Sequence, residues 1–527
     1  MKITSNGTDL QNSLLSGAKK LSAAVGSTLG PRGQNVLIKE EKRPPYITKD
    51  GVTVANSFKL SDPIEDASSD IIKQASRRTN IEAGDGTTTS TVLSTAIFEA
   101  SIKHIGETNL SPVEVFRGLQ HAGSEILNDL QELSTPITTL QQIKNIATIS
   151  ANNDPSIGEL VAMAVDSVGA DGSVTIEESN TSDTSLDLVE GFRLDAGFAS
   201  SVFQTDERKR IMVYENPLFL ITDEKLDSVD QILPSLELAA REARPFIIIA
   251  DEIEGQALAA LIMNKSRGSL KVSAIKSPSY GQTRRDIMED FAIATGSKYF
   301  RKVNGDNLTQ VSLKDFGSAK SIRSSNQETI ITGVSGKAEK ILERIEEIIE
   351  QIKSSSDDLE LSKRLSRLQS GVGVIKVGGN TEAEVTERRH RIEDALEAVK
   401  SAQSEGVVPG ASYALLYGAR TLALKHSEVD SSELTAAKKI LSEAFQAPFF
   451  KMLQNAGINA DLYNLEWFSF EDLSKPMGLD IKNNSVVDLL DSGIIDPFKV
   501  IRCAVKNAIS ASGNLLTTNY AIIEETS

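Results

Sequence analysis

Cysteine and histidine are scarce in this chain of 527 residues. The one cysteine, Cys503, excludes an internal disulfide framework and a thiolate metal cluster within one chain. No two of the four histidines (His104, His121, His390 and His426) stand at a ligand spacing such as i, i+4, which argues against a zinc hydrolase. Long apolar runs are missing as well: the longest, Ala257 to Met263, has seven residues, against the roughly twenty of a membrane-spanning helix. Met1 to Ser13 is polar, with no apolar core of a secretory signal, so a cytoplasmic protein is expected. Basic charge is in deficit. Lys plus Arg number 56 against 73 Asp plus Glu, a net charge of −17, and phosphate surfaces would repel such a chain, so neither nucleic acid nor an anionic membrane is an expected partner. What is present is an ordinary globular composition, 40% apolar and 24% charged, long enough for about three to four domains.

Periodicity predicts an amphipathic helix over 9–29, carrying Leu10, Leu14, Leu21 and Val25 and stopped by Gly30-Pro31. Two short strands, 35–39 and 46–48, follow around a charged tip, and Val52–Ala55 reads as an extension of the second. Helices are expected over 62–82, from the Asp85–Thr91 segment toward Ile105, and over 112–133. From Gly191 to Val372 the texture changes. Strand candidates 218–222, 246–250 and 271–276 alternate with helices 227–242 and 255–267, and the last two strands with the second helix have the order of a βαβ crossover. A helical hairpin follows, with Ile341, Ile345 and Ile348 on one arm, Leu361, Leu365 and Leu368 on the other, and a turn at 354–358. Beyond the Gly371–Gly373 and Gly378-Gly379 hinge, the remainder is expected to be mostly helical.

Asp85-Gly86-Thr87-Thr88-Thr89 is the sharpest local signal. Consecutive threonines are poor in a helix interior but suit a helix start. Free N–H groups and partial positive charge at such a start fit phosphate, Gly86 lets a ligand approach the backbone, and Asp85 offers a hard oxygen for Mg2+. The loop Thr28-Leu29-Gly30-Pro31-Arg32-Gly33 and the turn Lys49-Asp50-Gly51 are weaker signals by themselves. There is no Walker A sequence: Gly336-Lys337 lacks the earlier glycine and precedes Ala338.

Taken together, these segments carry a resemblance. Thr28–Gly33, Ile47–Val52, Ala83–Thr89, Thr148–Asn152, Arg391–Leu396, Glu405–Val408 and Ile495-Asp496-Pro497 occur in the order seen in group I (GroEL-type) chaperonins, and the similarity spans about residues 10–520. The resemblance implies an α/β multidomain, GroEL-like three-domain subunit. Its helical equatorial ATPase domain would be 1–135 and 406–527, its intermediate hinge domain 136–190 and 373–405, and its α/β apical substrate-binding domain 191–372. It further implies an ATPase in seven-membered rings, double or single, that captures non-native client proteins and promotes their folding, with a lid-like co-chaperonin among the partners the family uses.

Carried over by motif, Asp85 would ligate Mg2+, Gly86, Thr87, Thr88 and Thr89 would bind phosphates, and Thr28, Leu29, Gly30 and Pro31 would line ATP. Thr28 and Lys49 would lie near a K+ site. Asp50 and Asp394 would position and activate the attacking water, and Ile149, Gly410, Ile494 and Asp496 would complete the nucleotide contacts. By pattern alone Asp394 sits opposite the Ile392/Leu396/Val399 face and reads as a solvated carboxylate. Clients would meet Phe198, Val202, Phe203, Leu233, Leu236, Leu258, Ile262 and Met263. Independently of the resemblance, helix 255–267 is apolar almost all round, more than one core can take.

Departures from the family are selective. Pro409-Gly410-Ala411-Ser412 stands where three glycines are usual, and Asp480-Ile481-Lys482 where the adenine-side segment is Asn-Ala-Ala. Ala196 replaces an arginine that pairs with the acid at Glu382, and Phe450 and Asn459 replace a charged pair between rings. Two competing functions follow, a nonhydrolysing holdase or assembly scaffold on the same fold, and a small-molecule kinase that would explain the phosphate segment but not the apolar helices.

Overall fold

The computed structural model describes residues 2–39, 45–169, 173–179, 181–207, 209–354, 359–369, 371–425, 430–459 and 475–524. The charged tip at 40–44 and most of the turn at 354–358 lie outside the described residues. The chain forms two compact units, Met1–Ala162 with Gly379–Ser527, and Met163–Gly378. One boundary falls within the Gly378-Gly379 pair. No helix among the described residues is long and apolar enough to cross a membrane.

The first unit is built around the helix Phe498–Leu516, which packs on Pro63–Ala83, Thr87–Thr108 and Pro112–Glu132. Gly7–Gly26 covers Pro63–Ala83 and Thr87–Thr108, so that Leu10, Leu14 and Leu21 meet Leu93, Ile97 and Phe98 in one core. Helix boundaries follow local chemistry. Asp62 Oδ1 accepts from the N–H groups of Ile64 and Glu65 at 2.8 and 3.0 Å, Pro63 takes the first turn, and left-handed Gly84 (φ 72°) ends the helix. Thr87–Thr108 is buried over most of its length up to Ser101 although rich in Ser and Thr, and several of these hydroxyls bond back to its own carbonyls: Thr91 to Thr87 at 3.0 Å, Ser94 to Ser90 at 2.7 Å and Ser101 to Ile97 at 2.7 Å.

Three details differ from the sequence expectation. Val52–Ala55 lies in the helix Gly51–Ser57 rather than a strand, because Asp50 accepts from the N–H groups of Val52 and Thr53 at 3.1 and 2.9 Å and starts a helix despite the β-branched run. The polar N-terminal segment Lys2–Asn6 pairs antiparallel with Tyr520–Glu524, with Ile3 opposite Ile523. The C-terminal part also holds the strand pairs Met477–Asp480 with Ser485–Asp488, and Val407–Pro409 with Ile495–Pro497.

In the second unit, the strands Leu218–Thr222, Phe246–Ala250 and Val272–Lys276 are parallel neighbours, buried on both faces apart from Lys276. That explains the continuous apolar runs Leu218–Ile221 and Phe246–Ala250. Gly317–Ser324, Thr329–Val334 and Gly191–Leu194 extend the sheet antiparallel. The expected crossover is present, with Gly255–Ser266 linking the parallel strands Phe246–Ala250 and Val272–Lys276. A second sheet places Val372–Val377 between Ser173–Glu178 and Ser185–Val189. The helical hairpin Ala338–Ser354 and Leu359–Gln369 is tied to Gly281–Thr295 by three carboxylates: Glu289 pairs with Arg344 at 3.2 Å, Asp286 with Arg364 at 3.5 Å, and Asp290 with both arginines. Buried Asp290 accepts from Arg344 Nε at 2.8 Å and from Arg364 Nε and Nη2 at 2.7 and 3.0 Å.

Candidate functional site

The first unit holds a cavity of about 480 Å³, and the segments singled out in the sequence meet there. Thr28, Leu29, Gly30, Pro31, Lys49, Asp50, Asp85, Gly86, Thr87, Thr88, Thr89, Ile149, Asp394, Ile494 and Asp496 all line it. Gly410 stands just behind the wall, its N–H donating to the Ile494 carbonyl at 2.8 Å.

One end is the start of Thr87–Thr108. Gly86 is left-handed at φ 85°, and its missing Cβ would lie 2.6 Å from Val500 Cγ1, so both the turn and the packing require glycine. The Asp50-Gly51 turn presses on the threonines, since a Cβ on Gly51 would lie 2.3 Å from Thr88 Oγ1 and 2.9 Å from Thr87 Oγ1. Thr28 Oγ1 is 3.3 Å from Thr88 Oγ1. Asp85 Oδ1 accepts the Gly86 N–H at 2.5 Å and Oδ2 accepts the Ser150 hydroxyl at 3.1 Å.

The carboxylates crowd one another. Burial pushes the Asp85 carboxyl up, against the pull of its two donors, and the charge of Asp50 adds to the rise. Asp394 is held well above the usual range by burial, then by the charges of Asp50 and Asp85. Asp496 is pushed up to about 6 by burial and the nearby Asp85. Lys49 is lowered by burial and by Arg391, with Glu387 opposing. Such a site favours a cation or a proton among its carboxylates.

Asp394 is therefore not on a solvated face. Ile392, Leu396 and Val399 are buried in the packing of Glu382–Glu405, while Glu387, His390, Arg391, Asp394 and Ala398 form a stripe along the cavity. Sequence reasoning missed Glu387 and His390, although the spacing 387, 390/391, 394, 398 is helical and would have exposed the stripe. It also gave no role to Ser150, which lies inside a segment already singled out.

Met452, Leu479, Asp480, Ile481, Lys482, Ala411 and Ser412 also line the cavity. Ala411 (φ 50°) and Ser412 (φ 61°) are both left-handed, so non-glycine residues occupy conformations that favour glycine.

On the second unit the expected client contacts separate. Val202, Leu233 and Met263 are exposed (42, 44 and 50%), and Phe198, Leu258 and Ile262 are half-buried. Phe203 and Leu236 are core side chains instead, packed with Leu218, Ile232 and Leu261. Gly255–Ser266 buries only Ala257 and Leu261, because only that edge meets the sheet, and its remaining apolar side chains face outward in part.

Residues 21–526 match the TCP-1/cpn60 chaperonin family. The chain is also similar to two crystal structures of the chaperonin gp146 from the bacteriophage EL 2 (Pseudomonas aeruginosa), both in presence of ATP-BeFx. Crystal form II gives a TM-score of 0.72 at 21% identity, covering 99% of this chain and all of that one (100%). Crystal form I gives 0.64 at 20%, with 99% of each chain covered. At this identity the likeness is one of fold.

Proposed function

The chain belongs to the TCP-1/cpn60 chaperonin family, and on that premise we propose that it is an ATP-driven folding machine, hydrolysing ATP in the cavity of its first unit and holding non-native proteins on its second. One observation carries the reading: a threonine-led helix start and the carboxylates Asp50, Asp85 and Asp394 line one cavity although they come from distant parts of the chain. The similar phage chaperonin was crystallised with ATP-BeFx, which agrees with this use of the site.

In the proposed mechanism, the N–H groups and hydroxyls of Gly86–Thr89 hold the phosphates. Asp85 is the residue to hold Mg2+, because that ion takes one or two protein carboxylates together with phosphate oxygens, and a crowded, desolvated carboxylate gains from a cation. The ion would supply neutralisation of phosphate charge. Burial and the neighbouring carboxylates raise the proton affinity of Asp394, which suits a base that takes a proton from an attacking water. Asp50 Oδ2 also accepts the Thr53 hydroxyl at 2.5 Å, which fixes its carboxylate to orient that water. Thr28 and Lys49 are the proposed K+ neighbours, and Ile149, Gly410, Ile494 and Asp496 the base and ribose side.

Val202, Leu233 and Met263 are the side chains already outside the core, and each could gain about 1.5–3 kcal/mol when a client buries it. Copies in a seven-membered ring would add avidity to such weak contacts. We keep the equatorial, intermediate and apical division as the organisation that would couple the two activities. Phe450, still 37% exposed, supports altered pairing between rings. A potassium-dependent ATPase assay with Asp394→Ala as control, beside ATP-dependent refolding of a denatured test protein, tests the reading. No hydrolysis above the Asp394→Ala background would refute it. Client capture without hydrolysis would instead establish the holdase, a reading favoured by the left-handed Ala411-Ser412 wall.

A further inference from the structure

Two lips border the cavity. The first is the loop Ser27–Gly33. Asn455 Nδ2 fixes it by donating to the carbonyls of Gly26 and Leu29 at 2.8 and 2.9 Å, and Gly30 (φ 83°) lies so close to Met452 that a Cβ would come within 2.8 Å of its Cγ. The second is the turn after Met477–Asp480. It is closed by Asp480 Oδ1, which accepts from the N–H groups of Lys482 and Asn483 at 2.9 and 3.3 Å, and by Asn483 Nδ2 donating to Asp480 Oδ2 at 2.7 Å. At their base the lips share an apolar cluster of Leu29, Met452, Leu479 and Ile481. On the solvent side one bond crosses between them, Arg32 Nη2 donating to the Lys482 carbonyl at 2.9 Å.

We propose that Arg32 is a positioning residue that straps the two lips together and sets the rate at which nucleotide enters and leaves. The inference rests on the nucleotide reading of the cavity. Each lip is internally hydrogen-bonded, so parting them is a movement of two preformed pieces resisted by the apolar cluster below and the guanidinium bond above. Arg32 itself does not line the cavity. Its loss therefore alters the opening of the mouth more than the contacts to a bound nucleotide, and a change in opening alone speeds entry and exit together.

The test uses stopped-flow fluorescence of an N-methylanthraniloyl-ADP probe on the full chain, comparing the parent with Arg32→Ala and Arg32→Gln, and with circular dichroism and size-exclusion profiles matched among them. Both variants are expected to release the probe about three- to tenfold faster, the scale of one lost hydrogen bond at an exposed position, and to bind it faster too, leaving Kd within about twofold. Unchanged rates in both variants overturn the strap. Faster release with unchanged association, and Kd weakened in proportion, overturns it also and makes Arg32 an ordinary ligand contact. Failure of the parent chain to bind the probe refutes the nucleotide reading itself, and the strap falls with it.

Discussion

Replacing Asp496 by asparagine should stabilise the nucleotide-free protein, and by more as the pH rises. Asp496 lies on the strand Ile495–Pro497, opposite Val408, where burial and the charge of Asp85 raise its carboxyl from 3.8 to about 6. A gap of that size corresponds to about 3 kcal/mol, which relaxation of the structure around the charged carboxylate reduces to an expected value of about 2 kcal/mol. The sign follows from proton counting. Between about pH 4 and 6 the folded chain binds this proton more tightly than the unfolded chain, so stability is lost as pH rises through the window and the full cost is present above it. Asp496→Asn carries no such cost. Urea midpoints read by far-UV circular dichroism, from pH 4 to 8 and with refolding curves overlaid, should show the variant equal to the parent near pH 4 and about 2 kcal/mol more stable at pH 8. On an Asp85→Asn background the gain should shrink, because one of its two causes has been removed. A difference that is flat with pH, or a parent more stable than the variant at pH 8, would refute the reasoning.

Other outcomes follow from packing. Gly51→Ala places a methyl group 2.3 Å from Thr88 Oγ1, so the loop must shift; isothermal titration should find ATP binding weakened about tenfold or more while circular dichroism is unchanged. The pair Ala411→Gly and Ser412→Gly relieves two left-handed positions, and differential scanning calorimetry should find a net gain of about 1 kcal/mol after the added freedom of the unfolded chain is subtracted. Asp290→Asn leaves Arg344 and Arg364 facing each other without their shared carboxylate. It should cost the second unit about 3–5 kcal/mol, read as a fall in the urea midpoint of its transition.

Local chemistry explains why so much of the molecule was legible in its sequence. Asp62-Pro63 and Gly84 bracket a helix by capping and by a left-handed stop, and the unbroken apolar runs at 218–221 and 246–250 could only be buried strands or short buried helices. Asp85–Thr89 advertised a helix start suited to phosphate because those residue types fail elsewhere in a helix. Val52–Ala55 misled because strand propensity is a weak prior that a single capping carboxylate overrides. Lys2–Asn6 and Tyr520–Glu524 pair across nearly the whole chain, and no local pattern carries such information.

Tertiary structure alone decided where the acid groups stand with respect to one another. Periodicity placed Asp394 away from the apolar stripe of its helix, but whether that face met water or a cavity depended on what packed beside it. It met Asp50 and Asp85 from the other chain half, and desolvation with like charge did the rest. The fate of the apolar side chains was settled in the same way. Sequence gave Phe203, Leu236, Val202 and Met263 the same character, and only the geometry of the sheet and its covering helices sent the first two inward and left the others at the surface.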